Sequence, residues 1–309
     1  MQPTKINATE IFDISESVSS GNLIAFNITQ SKDILLAVAK RELDYRDESG
    51  CFAKVKTENG QDYRIFYSAG ENLIHLTDIE NEFFNIHNIQ LFDDGRILLV
   101  CGRSQYRTET DFDKNGRIYS QTGEFLSDLL LGDGIQDVQV TNDGAIWTSF
   151  FDEGIFGNYG WSDPVGSSGL IAWKSSGEKI FEYYPKHGLD SMCDCYAMNV
   201  ESNHVTWCYY YTEFPLVKIK DGVIADYWNM PVHGSSVFAI YQDFGLFQGG
   251  YDDCSFFYLV KLGREHVAEI KAKFTIDNVA QVERVCARGD ALFFLSDKKI
   301  YKISVCECL

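Results

Sequence analysis

No run of apolar residues in this sequence approaches the roughly 18 that a membrane-crossing helix needs, so no membrane association is expected. The opening, MQPTKINATEIFDISES, lacks the charged start, apolar stretch and small-residue cleavage site of a secretory signal, which predicts a cytoplasmic protein. In such a chain the sequons at Asn7 and Asn27 carry no meaning. Proline is scarce, 5 among 309 residues, and with 25 Gly this argues against a long disordered arm. Basic residues are outnumbered: 27 Lys and Arg against 45 Asp and Glu leave a net charge of -18, which repels phosphate backbones and excludes general nucleic-acid binding. A cationic partner would be drawn in. A nucleophile elbow, a phosphate-binding glycine loop and a dinucleotide fingerprint are all missing.

Metal chemistry has little to work with. The 6 histidines, at 75, 87, 187, 204, 233 and 266, include no pair at helical or hairpin spacing. His204 falls in a tight turn and reads as a surface residue; only His87, His187 and His233 lie where a catalytic role could be tested. The 9 cysteines are an odd number, and most of them read as small buried hydrophobes in a reducing compartment. Cys193 with Cys195 and Cys306 with Cys308 form Cys-x-Cys pairs, whose members strand alternation would put on one side, but zinc knuckles use Cys-x-x-Cys. No catalytic residue, metal or cofactor is therefore assigned.

What is present is aromatic and repetitive. The chain is 45% hydrophobic, with 22 Phe and 17 Tyr, enough β-favouring material for a large core. FNITQSKDILLAVA, IQLFDDGRILLVCG, VQVTNDGAIWTSFF, MNVESNHVTWCYYY, FAIYQDFGLFQGG and VERVCARGDALFFLS are each a strand, a tight turn and a strand. Further hairpins follow, such as CFAKVKTENGQDYRIFY and LIAWKSSGEKIFEYYP, with Asn-Gly, Thr-Gly, Ser-Gly or Asp-Gly supplying the positive φ of the turn. Four-stranded units at this spacing predict an all-β, six-bladed β-propeller of four-stranded antiparallel blades. The blades span approximately 21–70, 86–132, 135–186, 195–231, 236–277 and 281–305, within one domain over 1–309. The sixth unit supplies only three strands, so Thr9–Ser17 at the N-terminus is expected to complete it.

With strands lettered A to D from the axis, the A–B and C–D turns share one end of the blades and the B–C and D–A connections the other. The first set is tight: FDDG, TNDG, TENG, QTG, SSG, KDG. The second is long and varied, including KRELDYRDESG, GRSQYRTETDFDKNG, FDEGIFGNYGWSDPVGSSG and AGENLIHLTDIENEFFN. Elaborate loops gathered on one end of a rigid scaffold are the usual place for function. Carboxylates and aromatics concentrate there, and the expected partner-binding residues are Asp111, Asp113, Phe151, Asp152, Glu153, Phe156, Tyr159, Trp161, Asp163, Tyr211, Tyr251, Asp252 and Asp253. Charge would steer a basic protein in and the aromatics would hold it. Phe151, Phe156 and Trp161 could equally fold the long loop down as a small core of its own.

Over essentially the whole chain the six-unit pattern resembles the six-bladed propellers of the NHL and gluconolactonase-like class. Locally, GDGIQDVQVTNDGAIWTSFFDEGIFGNYGW followed by GSSGLIAWKSSGEKIFEY looks like a group of bacterial propeller proteins with a similar Asp-Glu-Gly loop, a likeness that implies no activity. The chain departs from the lactonases in lacking their calcium-ligand set. A metal of that kind would sit on the axis, with His87, Asn88, Asp137, Asp152 and Asp252 as its candidates here. The expected function is non-enzymatic binding of a basic protein, in concrete form an immunity-type inhibitor of a basic toxin domain. The alternative is a lactonase-like, metal-assisted hydrolase or lyase acting on a small molecule at the channel mouth.

Overall fold

The structure is a computed structural model and describes residues 2–19, 21–46, 50, 53–251 and 253–309. The chain divides into two compact units, one of Ser15–Tyr183 and one of Met1–Ile14 with Tyr184–Leu309. Each contains three sheets built on four antiparallel strands, and the fold is the six-bladed β-propeller that the repeat predicts. In Ser15–Tyr183 the sheets are Asn22–Ile28, Ile34–Ala39, Lys56–Ala69 and Asn72–Phe84; Asn88–Leu91, Ile97–Val100, Gly116–Tyr119 and Phe125–Leu129; and Ile135–Val140, Ile146–Phe150, Leu170–Trp173 and Lys179–Glu182. In the other unit they are Asp194–Val200, Val205–Tyr211, Pro215–Lys220 and Val223–Asn229; Phe238–Tyr241, Phe244–Gln248, Phe257–Leu262 and Ala268–Ile276; and Arg284–Arg288, Ala291–Ser296 and Lys299–Ser304, completed by Thr9–Asp13.

Second strands are covered on both faces, which is why ILLAVA, ILLV and ALFFLS run without alternation and are buried at every position. Fourth strands such as KIFE and FLSDL face water and carry the polar residues. First strands are joined by side-chain amides. Asn27 Oδ1 accepts the Ile89 N–H of the next sheet at 3.2 Å, and Gln90 Oε1 accepts the Val140 N–H at 3.2 Å. In the second unit Asn199 Nδ2 donates to the carbonyls of Phe238 (3.0 Å) and Gly289 (2.9 Å), while its Oδ1 accepts the Gly289 N–H at 2.7 Å. Each of these amides is buried, so the bonds satisfy groups that water cannot reach.

The N-terminal strand Thr9–Asp13 pairs antiparallel with Lys299–Ser304, as expected. A shorter strand, Thr4–Ile6, goes to the neighbouring sheet and lies parallel to Ala268–Ile276, an addition the sequence reading did not anticipate.

The first sheet corrects two expectations. AGENLIHLTDIENEFFN is not a connection; it contains the fourth strand, Asn72–Phe84, so this sheet ends at 84 rather than near 70. The TENG at 57–60 is not the hairpin turn either, because it lies inside Lys56–Ala69, and the chain turns at Gly70, φ 63°. Asn59 and Gly60 instead fall in a register shift between Lys56 and Gln61, where Gly60 approaches Asn81 too closely to carry a side chain. Among the described residues, no helix is long and apolar enough to cross a membrane.

Candidate functional site

In Ser15–Tyr183 the B–C connections at 40–55, 101–115 and 151–169 are long, whereas in the other unit they shorten to 212–214, 249–256 and 297–298. The long ones are built structures. Asn115, fully buried, donates from Nδ2 to the carbonyls of Cys101 and Gly132, both at 2.7 Å, and accepts the Leu131 N–H at 3.1 Å. Trp161 is 9% exposed, donates its indole N–H to the Ser104 carbonyl at 2.8 Å and packs against Tyr106. It closes the loop core and does not offer a surface to a partner.

The Asp-Glu-Gly motif resolves into three separate tasks on one helical turn, Asp152–Phe156. Asp152 is exposed and accepts the Glu153 N–H at 2.7 Å. Glu153 turns inward and binds Arg103 at 2.6 Å. Gly154 lies against the backbone of Asp133 and Gly134, where an added Cβ would stand 2.5 Å from the Asp133 oxygen. Arg103, 8% exposed, also binds Asp133 at 2.8 Å, and its guanidinium lies 4.1 Å from the Tyr159 ring centre and 5.3 Å from that of Phe151. Burial pushes the Asp133 carboxyl up to about 6 against the pull of Arg103. Burial acts on Glu153 in the same sense, but Arg103 and Asn158 outweigh it and hold that carboxyl below the usual range.

Asp113 is likewise interior, 3% exposed, and paired with Lys56 at 2.6 Å and Arg107 at 2.9 Å. Its burial would raise the carboxyl, yet the two cations keep it low. Asp111 is exposed and bound to Arg107 at 2.9 Å. The carboxylates of these loops are thus largely matched within the loops, and Asp113 serves them rather than a partner. Phe156, 68% exposed, and Asp163 remain on the surface. The Tyr159 hydroxyl donates to the Ala53 carbonyl at 2.6 Å.

The other unit holds a second aromatic group. Phe214, 5% exposed, is surrounded by the rings of Tyr196 (5.2 Å), Tyr209 (5.4 Å), Tyr211 (5.6 Å), His233 (5.4 Å, stacked) and Tyr251 (5.6 Å). Tyr211 and Tyr251 are 44% and 64% exposed, and the Tyr251 and Tyr196 hydroxyls are hydrogen-bonded to each other. All six come from strand ends and connections on the B–C and D–A side of the sheets. Exposed carboxylates in the same connections are Glu213 and Asp253, the latter held below the usual range by its hydrogen bonds to the Ser255 hydroxyl and N–H. Asp252 lies outside the described residues. Tyr211 and Tyr251 were legible as aromatic loop residues; Tyr196 and Phe214 were passed over because they sit at the edge of predicted strands.

Among the described residues the histidines are dispersed. His87 Nδ1 accepts the Gly102 N–H at 3.0 Å, His187 is exposed, and His233 belongs to the Phe214 group. Asn88 and Asp137 stand on first strands, and Asp137 binds the Gln139 amide at 2.9 Å. Cys306 and Cys308 lie on a 3-10 turn, Val305–Cys308, so strand alternation does not apply to that pair. Among the described residues, no three His, Cys, Asp or Glu side chains are placed to share a metal ion.

Three comparisons bear on kinship. No curated protein matches the sequence. Among solved structures, a chain of the "Crystal Structure of Mitotic Checkpoint Complex" is similar over 97% of this chain and 92% of that chain, at 8% identity and a TM-score of 0.46. A stretch of this chain, residues 170–303, matches the YxzG family.

Proposed function

We propose that the protein is a non-enzymatic binding propeller whose contact surface for a basic protein is the aromatic group around Phe214. The observation that carries this reading is the exposure of Tyr211 and Tyr251 on rings that Phe214 holds in place, with Glu213 and Asp253 in the same connections as Phe214 and Tyr251. Tyrosines fixed from behind lose little freedom when covered, so their buried area converts efficiently into affinity. Carboxylates beside them favour Lys or Arg on the partner and penalise acidic competitors. In its concrete form the protein is an immunity-type inhibitor that covers a basic toxin domain.

The test is affinity capture from source cells with the full chain and with a Tyr211→Ala, Tyr251→Ala double variant. A basic protein retained by the parent and held at least about tenfold more weakly by the variant is expected, since two anchor residues are removed. Capture of nothing basic, or equal capture by both, overturns the assignment.

A further inference from the structure

A cavity of about 650 Å³ in Ser15–Tyr183 shares Tyr159 with the Arg103 cluster. Its charged lining is Lys54, Lys56, Arg107 and Asp113. Three cations to one carboxylate among the described lining residues is an unusual balance in a chain of net charge -18. Among the described residues, Asp44, which pairs with Lys54, and Asp111, which pairs with Arg107, are exposed and are not part of the cavity lining. Asp113 is the part of the wall that orients its neighbours: buried, it fixes Lys56 at 2.6 Å and Arg107 at 2.9 Å. Lys56 keeps N–H donors beyond the one that Asp113 takes, and neither Lys nor Arg has an acceptor to offer. Gln105 and Asn158 supply amides on the same wall. The volume lies within the range of about 300–1,000 Å³ typical of small-molecule sites.

We propose that this cavity binds a small organic anion, its phosphate or carboxylate head against Lys54, Lys56 and Arg107 and its polar edge against Gln105 and Asn158. Cations held in place before the ligand arrives lower the ordering cost of binding, and Arg with Lys is the pairing that recognises such heads. The site shares no residue with the Phe214 group and does not depend on the function proposed for it.

Isothermal titration calorimetry of the full chain with AMP, inorganic phosphate and citrate, and adenosine as the uncharged control, tests the assignment. Saturable binding of at least one anion and none of adenosine is expected, and AMP against citrate distinguishes a phosphate from a carboxylate head. Lys54→Met is the informative variant because its partner Asp44 is exposed, so the fold does not depend on the pair. It should weaken the bound anion about tenfold or more, with Lys54→Arg restoring it. The proposal is overturned by no saturable heat from any of the three anions at millimolar concentration, by adenosine binding as tightly as AMP, or by less than about a threefold change in Lys54→Met.

Discussion

Arg103 joins two carboxylates of different burial, Asp133 at 1% and Glu153 at 44% side-chain exposure, so its removal and theirs have unequal consequences. Arg103→Met strands Asp133 in the interior and should cost about 3–5 kcal/mol in urea unfolding. Glu153→Gln, half in water, should cost no more than about 1 kcal/mol. Asp133 also sets a pH dependence. Its folded-state value of about 6 lies above the ordinary 3.8, so its contribution to stability is fully present below pH 3.8 and is lost as pH rises through about 6. The stability of the parent relative to Asp133→Asn should therefore fall between pH 4 and pH 7, by roughly 1–3 kcal/mol. Urea midpoints of the two proteins across that range check it. None of this was legible in the chain as written. Asp133 and Glu153 stand 30 and 50 positions from Arg103, and GRSQYRT gives no sign that one arginine is interior. Counting loop carboxylates overstates the acidic surface when their cations come from other connections.

At the scale of elements, the two glycine motifs interlock, Gly132-Asp133-Gly134 against the turn Asp152–Phe156. Gly154→Ala should destabilise by about 1–3 kcal/mol, because the atoms a Cβ meets are backbone and cannot swing aside. Calorimetric unfolding measures this. Removing residues 1–13 strips one strand from each of two sheets and leaves the edges of Lys299–Ser304 and Ala268–Ile276 open. The thermal midpoint should drop by about 5 °C or more. The hairpins that predicted the sheets also displayed the amides that join them: Asn27, Gln90 and Asn199 each occupy the second place of a quoted repeat. A polar residue recurring between two apolar ones on a buried strand is the signal, and it reads as a joint once burial is known. Asn72–Phe84 resembles a polar loop because its carboxylates are spread along a half-buried strand, and nothing local shows that Glu82 is interior and paired with Arg117.

For the molecule as a whole, the fold was readable because six strand–turn–strand hairpins repeat one pattern, and a repeat is robust to errors in any single member. The aromatic group around Phe214 was readable only in part, since Tyr196, Phe214 and His233 come from different strands and connections. Net charge acts at this scale too. With -18 on the protein, association with a basic partner should slow markedly as salt rises, while dissociation changes less. Stopped-flow measurements at low and high ionic strength separate the two rates. The pairing of Thr9–Asp13 with Lys299–Ser304 has a further consequence during synthesis. On the ribosome Thr9–Asp13 emerges long before the strand it pairs with, while Ser15–Tyr183 is contiguous and has all of its strands available before Lys299–Ser304 is made.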